Sequence, residues 1–161
     1  MRRRIFLFAA FLWMAVIFGL SARDADASTM DSFFVGRVAA ELLVPGFRDM
    51  SDGEQLAVLE AIDHPVRKTA HFLEYFILGV LLAGASLQPE HGRDRIRLQG
   101  LRAWEAGTVY AVSDELHQLF VPGRACMPAD VMLDSAGVLT GTLFCGAVLV
   151  CIFAGNTGRN G

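Results

Sequence analysis

The sequence predicts an all-α membrane protein, a four-helix transmembrane bundle with short amphipathic helices in its first outer loop. Three observations predict it. Of 161 residues, 53% are hydrophobic and 19% charged, with a mean hydropathy of +0.42. That is more apolar side chain than one soluble core of this size needs. The excess is concentrated in blocks of membrane length, and the five prolines fall between the blocks. The same composition excludes disorder, a collagen-like chain and, with three cysteines, a disulfide framework. A net charge of −3 argues against a nucleic-acid partner.

The spans are expected at about residues 5–22, 66–88, 102–121 and 129–154, all within one domain covering 1–161. Ile5 to Ala22 and Ser135 to Gly158 carry no charge, and each meets the length of about 20 apolar residues that a bilayer requires. Thr69 to Pro89 holds one carboxylate, Glu74, and one histidine, His71. The third block carries Glu105, Asp114, Glu115 and His117, and counts as a span because its neighbours can shelter those groups. Pro65 and Pro128 read as first-turn residues of the second and fourth spans, and Pro89 and Pro122 as stops. Between the first two spans, Phe33 to Leu43 and Gln55 to Ile62 show helical spacing, the latter behind a Ser51-x-x-Glu54 capping box. Both are expected to be short amphipathic helices on the outer face of the membrane.

Lys and Arg near the span ends set the orientation. Arg2 to Arg4, the loop bearing Arg93, Arg95, Arg97 and Arg102, and Arg159 lie on one side if there are four spans. Both termini are therefore expected in the cytoplasm of a multi-pass inner-membrane protein. Residues 23–64, with nine acidic residues against three arginines, would face outward. The basic start, the apolar run and Ala25-Asp26-Ala27 also resemble a leader with a cleavage site. The run is longer than a leader's, and acidic residues crowd the site, so a retained span is expected.

Charges inside membrane segments are costly and tend to be paired and functional. Lys68, His71 and Tyr75, with Arg67 and Glu74 one step round, share a broad helix face at the start of the second span. Asp114, His117 and Gln118 share another near the end of the third, with Glu115 adjoining. Asp130 and Asp134 lie one turn apart at the start of the fourth, and Gly137 and Gly141 continue their face in a G-x-x-x-G pattern that permits close helix approach. At about 1.5 Å per residue, His71, Glu115 and Asp134 each lie roughly 9–10 Å inside the proline at their outer end. Three helices thus bring ionisable groups to one level, where Lys68, His71 and Arg124 can neutralise Glu74, Glu115, Asp130 and Asp134. Plainer readings compete. Arg67 and Lys68 can snorkel to the interface, and Asp130 can be a carboxylate placed for the helix dipole. Cys126, Cys145 and Cys151 read as small apolar fillers, Trp13 as filler and Trp104 as an interfacial anchor.

Three stretches resemble the signatures of VanZ-like membrane proteins. They are Arg67-Lys68-x-x-His71-Phe72-x-Glu74-Tyr75-x-x-Leu78-Gly79, Ser113-Asp114-Glu115-x-His117-Gln118-x-Phe120-x-Pro122-Gly123-Arg124, and Asp130-x-x-x-Asp134-x-x-Gly137. The Trp13 region ending Phe18-Gly19-Leu20-Ser21 is similar to that family's first span. The resemblance runs from about Arg2 to Phe153 and implies a bacterial polytopic protein of a family whose founding member is linked to teicoplanin resistance.

The leading functional reading is recognition of an amphiphilic head group, from a cell-wall lipid precursor or a lipoglycopeptide such as teicoplanin, by Lys68, His71, Glu74, Asp114, Glu115, His117, Gln118, Arg124, Asp130 and Asp134. The expected partners are membrane lipids and such an amphiphile. An enzyme is the second reading, with His71 and Glu74 or Glu115 and His117 as acid/base pairs or metal ligands. The spacing is not a specific zinc signature and no nucleophile motif is present, so no metal, no cofactor and no catalytic residue are assigned. The third reading is a buried charge network that only fixes helix register.

Overall fold

The computed structural model describes residues 1–88 and 92–157. The expected stop at Pro89 and the basic flank at Arg159 lie outside the described residues. The described chain is helical, with five α-helices and a short 3-10 turn at Phe47–Asp49. They are α1 (Arg2–Ser21), α2 (Ala25–Leu43), α3 (Asp52–Ser86), α4 (Arg93–Gln118) and α5 (Pro128–Thr157). Three of these, α1, α3 and α5, are long and apolar enough to cross a membrane. The third expected span, α4, has 26 residues and so the length, but not the apolar composition.

Helix boundaries follow local chemistry. The Asp24 side chain accepts the Ala27 amide at 2.8 Å and so caps α2. Ser51 and Glu54 cap α3 reciprocally, and Pro128 takes the first position of α5, as its lack of an amide hydrogen favours. Two boundaries differ from expectation. Pro65 lies inside α3 rather than at a helix start. The segment before it, capped at Ser51 and held by Val58, Leu59 and Ile62 against Phe33, Ala40 and Phe47, continues without a break into the span. Packing outweighs the one hydrogen bond that proline removes. The second of the short outer helices is thus the N-terminal part of α3. At 35 residues, α3 is about 52 Å long, more than the roughly 30 Å that one crossing needs, and α2 leans on its N-terminal part. The basic segment 88–102 is likewise helical from Arg93 onward, since arginine is a good helix former and Asp94 suits a first turn.

α3 packs against each of the other four helices and most extensively against α5. The central core joins Ala10 and Ile17 of α1, Tyr75 and Leu78 of α3, Ala111 of α4 and Val138 of α5. Polar bonds tie α1 along its length. Arg2 donates to the Leu87 carbonyl at 2.5 Å, Trp13 Nε1 to the Glu74 carbonyl at 2.8 Å, and Tyr110 Oη to the Met14 carbonyl at 2.6 Å. Trp13 is therefore more than filler, and this stitching supports α1 as a working part of the bundle. Trp104 faces inward too, donating from Nε1 to Ser135 Oγ at 3.0 Å, where an interfacial anchor was expected.

Glycines set the α3–α5 distance. A Cβ added at Gly141 would stand 2.0 Å from the Phe76 carbonyl oxygen, and one at Gly137 2.6 Å from that of Phe72. From the other side, Gly79 meets the Val138 carbonyl in the same way, at 2.2 Å. The G-x-x-x-G reading of α5 is thus realised against α3. Gly141→Leu is expected to force the helices apart and destabilise the fold by about 1–3 kcal/mol or more. Thermal unfolding of the detergent-solubilised protein measures this, and an unchanged melting temperature would contradict the packing.

Candidate functional site

The polar residues of α3, α4 and α5 gather at the end of the bundle that holds α2. Because α3 and α5 touch through glycine, their charged faces meet one and two turns further out. Lys68 forms an ion pair with Asp130 in the first turn of α5. His71 Nδ1 stands 4.0 Å from Asp134 Oδ1, and Asp134 is wholly buried. Asp114 and Glu115 of α4 are buried beside them. Ser21 Oγ donates to Asp114 Oδ2 at 2.7 Å, and Gln118 Nε2 approaches the same oxygen at 3.5 Å. Glu115 Oε2 accepts the Met127 amide at 3.0 Å, at the entry to α5. Among the described residues, Asp114 Oδ1, Glu115 Oε1 and both Asp134 oxygens have no hydrogen-bond partner within the protein.

A second compartment adjoins this seam. A cavity of about 130 Å³ opens between the α1–α2 corner and α3, lined by His71, Glu74 and Arg124 together with Ser21, Arg23, Asp31, Ser32 and Arg67. Arg124 reaches it through the turn after α4. Gly123 adopts φ +74° there, a conformation natural to glycine. The Ala25 amide donates to the Pro122 carbonyl at 3.3 Å, fastening this turn to the start of α2. Arg124 Nε then donates to the Arg23 carbonyl at 3.3 Å. The turn aims the Arg124 guanidinium at a backbone carbonyl, so the carboxylates it was expected to help neutralise act on it through their charge rather than by contact. Burial and the nearby Arg67 lower the Arg124 pKa from its ordinary value, while Glu115, Asp114 and Glu74 act against that shift. Its positive charge is thus felt by both compartments.

The structure divides the predicted residues. His71, Glu74 and Arg124 line the cavity, whereas Asp114, Glu115, Gln118 and Asp134 stand behind it in the buried seam, with the half-buried Lys68 and Asp130 paired beside them. His117 turns aside and lies against the Phe18 ring, with centroids 4.4 Å apart. The cavity also contains residues outside the predicted cluster. Arg67, placed on the helix face of His71 and Glu74 with snorkelling as its plainer reading, pairs with Asp63 at 2.7 Å, and the i, i+4 spacing was the signal for it. Ser32 donates to the same Asp63. Arg23 pairs with Asp31 at 2.7 Å across the α1–α2 corner, a contact that no helical period announces. Among the described residues, no group of three His, Cys, Asp or Glu is placed to hold a metal ion.

The VanZ/LLP1 family model matches residues 6–151. No curated protein and no solved structure matches the chain.

Lys68→Met should leave Asp130 charged and half-buried without its partner, at a cost of about 1–3 kcal/mol, between the ranges known for exposed and for buried pairs. Lys68→Met combined with Asp130→Leu should recover much of the loss. A double-mutant cycle on thermal or denaturant unfolding checks this, and additive losses would show that the two charges do not interact.

Proposed function

The chain belongs to the VanZ/LLP1 family, and from that membership we propose that this membrane protein of the cell envelope recognises the anionic head group of an amphiphile at its outer polar cavity. The observation that carries the reading is Arg124. Three arginines, Arg23, Arg67 and Arg124, converge on the cavity. Asp31 pairs with Arg23 and Asp63 with Arg67, while Arg124 has no ion pair among the described residues and donates to the Arg23 carbonyl. The guanidinium fork matches phosphate and carboxylate oxygens. A lipid-linked cell-wall precursor offers the first and a lipoglycopeptide such as teicoplanin the second. The apolar members of the lining, Leu20, Val35, Val66 and Ala70, suit the start of an apolar tail.

In this reading α4 is the third span. At 26 residues it is about 39 Å long, and its uncharged centre, Ala106–Ser113, packs against α3 and α5. The acidic groups near its outer end are those sheltered by Ser21 and the Met127 amide. Four spans place both termini and the Arg93–Arg102 segment in the cytoplasm of a bacterium, with the cavity facing outward. A second reading is favoured by one observation, that His71 and Glu74 line the same cavity. Such a pair suits proton transfer on a bound lipid-linked substrate.

Arg124→Ala in the full-length protein, reconstituted in nanodiscs, is expected to weaken binding of a polyprenyl-diphosphate-linked precursor or of teicoplanin by about ten- to a hundredfold, the worth of a charge-assisted hydrogen bond. Lys68→Ala, one layer behind, should lower thermal stability more than affinity. Binding that survives both Arg124→Ala and Arg67→Ala unchanged would sink the proposal. Turnover of the precursor that disappears in Glu74→Gln would establish the enzymatic reading instead.

A further inference from the structure

At the opposite end of the bundle, α4 and α5 diverge and leave a groove of about 580 Å³. Its walls are Leu87, Ile96, Leu101, Leu139, Leu143 and Val150. Two polar residues on the lining are already engaged, Trp104 with Ser135 and Thr142 with the Gly79 carbonyl. Arg97 is the one charged residue on the described lining, and it is exposed.

Two glycines keep this groove open, for a reason different from the glycines of the α3–α5 seam. A Cβ at Gly146 would come no closer than 3.6 Å to Leu87, and one at Gly100 no closer than 3.7 Å to Thr142. Both are ordinary contacts, so helix approach does not require glycine there. Lacking a side chain, these positions deepen a furrow. On α5 the furrow runs from Leu139 to Cys151, about 18 Å at the helical rise. Half of a bilayer core is about 15 Å.

We propose that this groove seats an acyl chain of an anionic phospholipid from the leaflet on the Arg93–Arg102 side, with Arg97 meeting the net negative charge that its head group, unlike a zwitterionic one, leaves uncompensated. The apolar walls take the chain, the furrow has the depth of one leaflet, and the single charge has the sign that the head group needs. An α-helix of a second copy, 10–12 Å across with its side chains, would have no use for a cation at the mouth.

Trp104 lines the groove and is one of only two tryptophans, the other being Trp13. The full-length protein is reconstituted in vesicles of phosphatidylcholine containing a minor fraction of chain-brominated phosphatidylglycerol or, in parallel, chain-brominated phosphatidylcholine. Bromine quenches indole on contact, so quenching of Trp104 reports which lipid occupies the groove. The brominated phosphatidylglycerol should show a relative association constant about fivefold higher, one arginine's contribution of about 1 kcal/mol. Arg97→Gln should bring the ratio to about one, and Ala147→Phe, which fills the furrow, should reduce quenching by both lipids. Trp104→Phe should abolish the selective component, which keeps the assignment testable without altering Trp13. Equal quenching by the two lipids in the unaltered protein would overturn the proposal. So would a preference that persists in Arg97→Gln, or weak quenching by both lipids together with a cross-linked dimer through α4 and α5.

Discussion

Where α5 lies against α3, the two backbones meet with almost no side chain between them. Gly137 and Gly141 face the Phe72 and Phe76 carbonyls while Gly79 faces that of Val138. This fixes more than a distance. Helical register carries the contact outward, so that the next turns of the same two faces bring His71 to Asp134 and Lys68 to Asp130. A wider crossing would part Lys68 from Asp130 and leave that half-buried carboxylate without its ion pair. Small residues in the apolar half of the seam therefore hold the polar half together.

The same logic explains how α4 can carry carboxylates at this level. Its charges are met by groups that other elements were folded to supply. Ser21 comes from the last turn of α1, and the Met127 amide from the residue just before α5. Both partners are at helix ends, where donors are not already consumed by the helix ladder. The carboxylate oxygens without a protein partner on Asp114, Glu115 and Asp134 all belong to this one layer. It lies directly behind the arginine-lined cavity, whose Arg124 feels the Asp114 and Glu115 charges. Arg124 is thus the group through which the buried layer and the cavity are coupled.

Much of this was legible in the sequence, for identifiable reasons. The i, i+3, i+4 spacing of Lys68, His71, Glu74, Asp114, Gln118, Asp130 and Asp134 placed them on faces, and distance from the flanking prolines placed those faces at one depth. The G-x-x-x-G pattern named the contact that joins α3 and α5. What period and depth do not encode is rotation about the helix axis relative to a neighbour. That is why His117, on the same α4 face as Asp114 and Gln118 by spacing, lies against Phe18 instead. Loop geometry was equally hidden. Nothing in Pro122-Gly123-Arg124 states that the turn is fastened to Ala25, and this fastening sends Arg124 to the Arg23 carbonyl and brings α2 into the site. Pro65 misled because a proline rule concerns one missing hydrogen bond, whereas the helix around it is held by a cluster of side chains.

In the proposed reading, the long N-terminal part of α3 sets where the amphiphile enters. A site made only by three spans would open within the membrane, reached through lipid. The cavity instead lies between the α1–α2 corner and the stretch of α3 around Val66 to Glu74, at the level where the helix leaves the apolar core. Above it stands α2, which buries Ser32, Gly36 and Ala40 toward the stalk and exposes Met30, Phe34, Val38 and Leu42 along one outer stripe. An apolar stripe beside a cavity of mixed polarity is unfavourable in open water and favourable at a membrane surface. In the proposed reading that stripe lies on the lipid, which would set the arginines at head-group height and the apolar part of the lining beside the first carbons of a tail. An amphiphile would then need to leave its leaflet only at the head, because its chain could remain among the other lipids while the arginines held its charge.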